Sequence, residues 1–147
     1  MSRHYRMGRL ALPAVALLAI APLSACSTGV MDLEVGDCFD ASALEGADEV
    51  STVDTVDCTE EHTGEVFGSL EHAESETAPA LQDLFDEADE HCYYEFQSFV
   101  GVPYEESAHE YYVVSPTQES WENADDRTSL CLLVSEPVSG SLENSGT

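Results

Sequence analysis

Pro79-Ala80-Leu81-Gln82-Asp83-Leu84-Phe85-Asp86-Glu87-Ala88-Asp89-Glu90-His91-Cys92-Tyr93-Tyr94-Glu95-Phe96-Gln97-Ser98-Phe99-Val100 is the stretch that decides the fold. Leu81, Leu84, Phe85, Ala88, Cys92, Phe96 and Phe99 follow one another at offsets of 3, 4, 7, 11, 15 and 18 from the first, which draws one apolar stripe along an α-helix. Asp83, Asp86, Glu87, Asp89 and Glu90 fall largely off that stripe. Pro79 suits the first turn, Thr77 or Ser75 stands near the cap position, and Gly101 and Pro103 end the helix. A stripe of this kind must cover something. Cys92 lies on it, where a disulfide would staple the helix to the surface beneath.

That surface reads as strands. Leu130-Cys131-Leu132-Leu133-Val134 is a continuous apolar run, the mark of a central strand buried on both faces. If Cys131 and Leu133 face the helix, Leu130, Leu132 and Val134 need cover on the other side. Tyr111-Tyr112-Val113-Val114 is also apolar on both faces. Thr52 to Cys58 is β-branched at Val53, Thr55 and Val56, and Glu65 to Glu71 alternates, with Val66, Gly68 and Leu70 on one face and Phe67 on the other. The short connection between these two segments predicts that they pair antiparallel. Val35-Gly36-Asp37-Cys38-Phe39 reads as a short apolar segment with a glycine bend, residues 40–51 as a loop, and Pro116 to Asp126 as a polar loop holding the single Trp. The tail from Ser139 to Thr147 is expected to be flexible. The fold class is therefore α+β: one long amphipathic helix packed on a small, mainly antiparallel sheet, with two disulfides.

Charge excludes several functions. The 147 residues carry 30 Asp and Glu against four Arg and no Lys, a formal net charge of −26. Arg3, Arg6 and Arg9 precede the first hydrophobic run, so Arg127 alone faces every acid from residue 26 onward. Nucleic-acid binding needs clustered Lys and Arg, and none is present. Electrostatic adhesion to an anionic membrane fails for the same reason. The 43% hydrophobic content nonetheless argues for a folded core.

The amino terminus reads as an address. Three arginines, an apolar run over residues 10–23 and then small residues give the order of a secretory signal. The run is too short for a comfortable transmembrane helix of about 20 residues. Leu23-Ser24-Ala25-Cys26 resembles a bacterial lipobox, in which the Cys thiol receives a diacylglyceryl group and becomes the first mature residue. Two acyl chains, each contributing about 0.8 kcal/mol per buried CH₂, hold firmly where one is marginal. The expected organisation is a signal peptide over 1–25, a polar tether over 26–32, a domain over 33–142 and a flexible end over 143–147. The expected location is the extracytoplasmic face of the cell membrane.

With Cys26 lipidated, Cys38, Cys58, Cys92 and Cys131 remain, an even number in a compartment that permits disulfides. Sequential pairing, Cys38–Cys58 and Cys92–Cys131, closes loops within plausible supersecondary units and would contribute about 3 and about 4 kcal/mol on the chain-entropy model. No C-x-x-C redox motif occurs. Cys58-Thr-Glu-Glu-His62 and His91-Cys92 do not match the spacing of common zinc fingers or ribbons, and no EF-hand loop is present, so no metal or cofactor is expected.

Several side chains invite a functional reading. Arg127 is either an anion hook or, as we prefer, a structural partner of Asp126, Asp37 or another loop carboxylate. Glu60, Glu61 and His62, or His109 and Glu110, have the types used in acid/base catalysis, but sequence proximity supplies no geometry. Neither H-E-x-x-H nor G-x-S-x-G occurs, and no catalytic residue is expected. His62 reads instead as a residue that hydrogen-bonds within a turn. Tyr93, Tyr94, Tyr104, Tyr111, Tyr112 and Trp121 are of the types that stack on sugars, though most must build the core; Trp121 and Tyr104 are the candidate ligand contacts.

Val35-Gly36-Asp37-Cys38-Phe39, Val56-Asp57-Cys58 with His62, Glu65-Val66-Phe67-Gly68, Cys92, Pro116, Trp121, Asp126-Arg127, Cys131 and Gly140-Ser141-Leu142 occur in an order that resembles the septum-formation domain family of actinobacterial secreted and membrane proteins. The resemblance covers roughly residues 33–142. One departure is visible: Asp125 stands where the family often has Gly before Asp-Arg. The resemblance implies an envelope role near division. The expectation is thus a non-enzymatic lipoprotein, its partners the lipid bilayer through acylated Cys26 and envelope or division proteins; the alternative is a module binding cell-wall glycan.

Overall fold

The computed structural model describes residues 26–47 and 49–147; the expected signal peptide, 1–25, lies outside the described residues. The apolar run at 130–134 does become a central strand. It belongs to β6 (Thr128–Ser139), flanked by β4 (Glu61–Glu71) and β5 (Glu110–Val114). Beyond β4 lie β2 (Cys38–Asp40), β3 (Thr52–Val56) and β1 (Cys26–Gly29), giving one six-stranded antiparallel sheet in the order β1-β3-β2-β4-β6-β5. β5 and β1 are its edges.

The two faces of the sheet are buried by different means. On one, the long helix α1 (Leu81–Val100) sets Cys92, Phe96 and Val100 against Phe67, Cys131 and Leu133. On the other, Leu130, Leu132, Val66 and Phe39 pack under Val30, Leu33, Ala41 and Leu44, which come from short 3-10 turns at Val30–Asp32 and Ala41–Leu44. This is the second cover that Leu130 and Leu132 require. Complete burial of each large apolar side chain contributes about 1.5–3 kcal/mol, so the doubly covered strand β6 is the energetic centre of the domain. The staples are Cys38–Cys58 and Cys92–Cys131, with Cα separations of 5.2 and 5.5 Å, within the range that a disulfide spans. The second joins α1 to β6, as expected of a cysteine on the buried stripe.

Elsewhere long-range packing overrides the local pattern. β3 and β4 do not pair with each other, because β2 lies between them: Cys38 pairs with both Val56 and Glu65. A bulge between Val66 and Gly68 opposite Leu132 and Cys131 resets the alternation of β4. Gly68 therefore joins Phe67 on the helix side, where an added Cβ would stand 3.0 Å from Glu95 Cγ and 3.3 Å from Cys131 Sγ. Helix α1 begins at Leu81 with Ala80 as its N-cap, and neither Ser75 nor Thr77 caps it; Ser75 Oγ instead donates to the Thr77 carbonyl.

Both ends of the described chain are more ordered than their composition suggests. Residues 26–29, expected as part of a tether, are strand β1, paired with β3 from Cys26↔Thr55 to Gly29↔Thr52. The tail is docked as well. Leu142 is buried in the core, Asn144 N donates to Phe99 O at 2.7 Å, and Gly146 N donates to Val100 O at 2.9 Å. A helix C-terminus leaves carbonyls without intrahelical partners, and the tail supplies donors for two of them. Among the described residues, no helix is long and apolar enough to cross a membrane.

Candidate functional site

An apolar groove of about 800 Å³ lies beside edge strand β5. Tyr112 and Val114 of β5 form one wall, Leu81 and Phe85 of α1 another, and Met31, Leu44 and Val50 a third. Among the described residues seven large apolar side chains are exposed, and four of them line this groove: Met31 at 54%, Leu81 at 62%, Phe85 at 41% and Tyr112 at 45%. Leu81 and Phe85 belong to the stripe, yet they are exposed while Leu84 between them is buried. Their exposure is therefore a departure from the amphipathic pattern. A convergent apolar patch of this kind marks an interaction surface, and β5, hydrogen-bonded on one side only, offers an open strand edge next to it. Glu49 and Asp126 put negative charge in the lining.

Below the groove runs a polar chain that the sequence did not signal. Ser115, in the groove wall, lies 2.8 Å from Ser129 Oγ, which lies 2.7 Å from His72 Nε2; His72 Nδ1 donates to Glu87 Oε2 at 2.9 Å. The order hydroxyl, imidazole, carboxylate is that of a nucleophilic hydrolase. Ser129, however, is completely buried and already bonded to Ser115, so no carbonyl can approach its Oγ. Here the three groups tie α1 to β4 and β6.

The loop around the single Trp forms a clamp. Thr117 caps α2 (Gln118–Asn123) through a capping box with Ser120. Trp121 is buried to 1% exposure and donates from Nε1 to Ser75 O at 3.1 Å. It is therefore no free stacking platform, contrary to expectation. Tyr104 is also packed inward, 5.2 Å from the Phe96 ring centre and 4.9 Å from that of Tyr111. Outside the groove, the exposed aromatics among the described residues are Tyr94 and Tyr93, whose hydroxyl donates to Glu105; that bond holds the Glu105 carboxyl below its usual range and raises the Tyr93 phenol.

Arg127, expected to pair with Asp126, Asp37 or another loop carboxylate, has two such carboxylates as partners. Its ion pairs are to Asp125 Oδ1 at 3.0 Å and Glu74 Oε2 at 3.3 Å, not to the Asp126 side chain. Asp126 offers Arg127 only its backbone carbonyl, while its carboxylate accepts from Ser120 Oγ and Thr128 N. Asp125 has φ +57, a left-handed conformation that glycine adopts most readily and Asp tolerates. The place of the usual family glycine is thereby explained, and Asp125 adds a carboxylate for Arg127. His62 is buried, with Nδ1 donating to the Glu60 carbonyl at 2.9 Å, as a turn residue should. His109 sits apart, 2.9 Å from Thr147 Oγ1. Cys26 is an exposed free cysteine at the start of β1.

A family profile described as septum formation matches residues 34–147, which is most of the chain. The chain belongs to the septum-formation family. The match runs through both disulfides, the Trp121–Arg127 clamp and the docked tail, so the family's domain is the sheet-and-helix body described above. Comparison with curated proteins and with solved structures returned no match. A role associated with septum formation follows from membership.

Proposed function

We propose that this septum-formation protein is a lipoprotein anchored through Cys26 to the extracytoplasmic face of the cell membrane, working there as a non-enzymatic interaction module. The observation that carries the module reading is the apolar groove beside the open edge of β5. Its occupant is an extended segment of an envelope or division protein that adds a strand to β5 and sets apolar side chains on Phe85 and Tyr112. Because Glu49 and Asp126 line the groove, a segment with basic flanks is favoured over an acidic one. The anchor reading rests on the lipobox-like residues and on the exposure of Cys26.

Imaging the full chain in dividing cells, with a small tag after Thr147, tests both halves. The wild type should concentrate at the septum. Cys26→Ala should leave the membrane, whereas Phe85→Asp should stay on it but spread around the cell. Septal enrichment of Phe85→Asp would remove the groove from the account, and membrane retention of Cys26→Ala would remove the anchor.

Glycan binding has a specific basis too, in the exposed Tyr93–Tyr94 pair beside Glu105 rather than in Trp121 or Tyr104. Co-sedimentation of the protein with purified cell wall, abolished by Tyr94→Ala, would establish that reading instead.

A further inference from the structure

Beside the Cys38–Cys58 disulfide lies a buried cluster that neither the groove nor the clamp uses. A ring nitrogen of His62, Cys38 Sγ and a carboxylate oxygen of Glu65 all lie within 4.8 Å of one another. His62 is only 3% exposed. Its Nδ1 donates to Glu60 O, which leaves Nε2 as the acceptor, and among the described residues this buried Nε2 has no hydrogen-bond partner. Buried polar atoms are rarely left unpaired, so a buried imidazole with an unpartnered nitrogen, one ring nitrogen of which lies near sulfur and carboxylate, is a ligand in waiting. Glu65 already accepts from Ser141 Oγ and Leu142 N, but a carboxylate has about four lone-pair sites and keeps capacity for a cation.

We propose that Cys38–Cys58 is a thiol-gated metal site: once the disulfide is reduced by a dithiol, Cys38, Cys58, His62 and Glu65 bind one Zn²⁺ or similar divalent cation. The two disulfides differ in access. Cys92 and Cys131 are sealed between α1 and β6, whereas Cys58 is partly exposed and only Cys38 is buried. An incoming thiolate attacks Cys58 Sγ, the S–S bond breaks, and its electron pair leaves on Cys38 Sγ. The second thiol of the reductant then attacks the reductant's own sulfur in the mixed disulfide, releasing Cys58 as a thiolate and the reductant as its disulfide. Two electrons pass to the protein. The cation binds both thiolates in place of their protons, with His62 Nε2 as the neutral nitrogen donor and Glu65 as the carboxylate.

The donor set is borderline-soft, two sulfurs with one nitrogen and one oxygen, which suits tetrahedral Zn²⁺. Zinc bond lengths place such ligand atoms about 3.5 Å apart, so on reduction the two sulfurs move apart while the His62, Glu65 and Cys38 donors, now within 4.8 Å of one another, settle to that spacing. The donors match no common linear zinc motif because they come from separate parts of the sheet, Cys38 from β2, Cys58 from just after β3, and His62 and Glu65 from β4.

The test uses the full chain, treated with dithiothreitol under native conditions, desalted without oxygen and titrated with Co²⁺ and then Zn²⁺. Alkylation should map two new thiols to Cys38 and Cys58, with Cys92–Cys131 intact. One Co²⁺ should bind with thiolate-to-cobalt charge-transfer and tetrahedral d–d absorption, and Zn²⁺ should displace it. The oxidised chain should show no charge-transfer band. His62→Gln should keep the two thiols and lose at least about tenfold in Co²⁺ affinity, since even outer-shell changes cost that much. Glu65→Gln, which keeps an acceptor for Leu142 N, serves as a second variant with the same expected loss. Equal alkylation of all four cysteines, no band in the reduced wild type, or unchanged affinity in both variants would overturn the proposal.

Discussion

The Arg127 guanidinium stands 4.1 Å from the centre of the Trp121 ring and donates from Nη1 to the Trp121 carbonyl at 2.8 Å. One side chain thus closes the loop between β5 and β6 by cation–π attraction, by backbone bonds and by pairing with Asp125 and Glu74. In so acidic a domain this cation has no substitute. Arg127→Gln should lower stability by about 1–3 kcal/mol, read as an earlier midpoint in urea. Arg127→Lys should recover little, because an ammonium cannot reproduce the planar fork. A midpoint unchanged by either substitution would show that the loop closes without the clamp.

The buried Glu65 carboxylate accepts from Leu142 N at 2.7 Å and Ser141 Oγ at 2.6 Å, and so holds the tail against the end of α1. Glu65→Ala should cost about 1–3 kcal/mol and release the tail. Hydrogen exchange at the Asn144 and Gly146 amides would then approach that of an unprotected peptide. Protection that survives the substitution would place the tail's docking energy in Leu142 burial.

Leu81 and Phe85 are exposed, so the groove should be separable from the fold. Leu81→Asp and Phe85→Asp should each move stability by no more than about 0.5 kcal/mol, measured by thermal melting. A large loss would mean that these side chains support the domain rather than await a partner.

The acid load predicts a salt response. With 30 carboxylates and one cation beyond residue 25, the folded chain repels itself, and added salt screens that repulsion. The melting temperature should rise from low ionic strength to about 0.5 M sodium chloride, where the Debye length falls to a few ångströms. A flat profile would show that the charges are already too far apart to limit stability.

Tyr111 gives the alkaline limit. Burial in the aromatic cluster, followed by its hydrogen bond to Asp89 Oδ1 at 2.9 Å, pushes its phenol well above the usual value of 10.0. A group whose folded value is raised contributes stability that is complete below the unfolded value and lost as pH rises beyond it. Stability should therefore decline above about pH 10, and Tyr111→Phe should flatten that decline when the two are compared by denaturant midpoint. Parallel profiles would assign the alkaline loss to other groups.

Elements whose burial is set along the chain were readable in advance. The stripe of α1 from Leu84 to Phe96, the doubly apolar β6 and the two cysteine pairings depend on periodicity and short loop closure, which are local properties. The face assignment of Gly68 failed because one bulge at Phe67 inverts everything after it, and no residue type announces a bulge there. Trp121 looked exposed because its neighbours are polar, but those neighbours cap, clamp and hydrogen-bond it into the core. Of the groove, only the residue types were visible. That Leu81 and Phe85 stay exposed while Leu84 is buried is not set by their own spacing.

The amino-acid sequence alone determined that this chain is an acidic α+β domain with a central apolar strand, a stapled helix and the residue order of its family. Only the tertiary structure decided that β2 inserts between β3 and β4, that the tail caps α1, and that Met31, Phe85 and Tyr112 meet in one groove. It alone brought the buried imidazole of His62 to Cys38 and Glu65. The difference is physical. Periodicity is set by the repeat of the backbone itself, whereas neighbours distant in sequence are chosen by the competition of all apolar surfaces for cover.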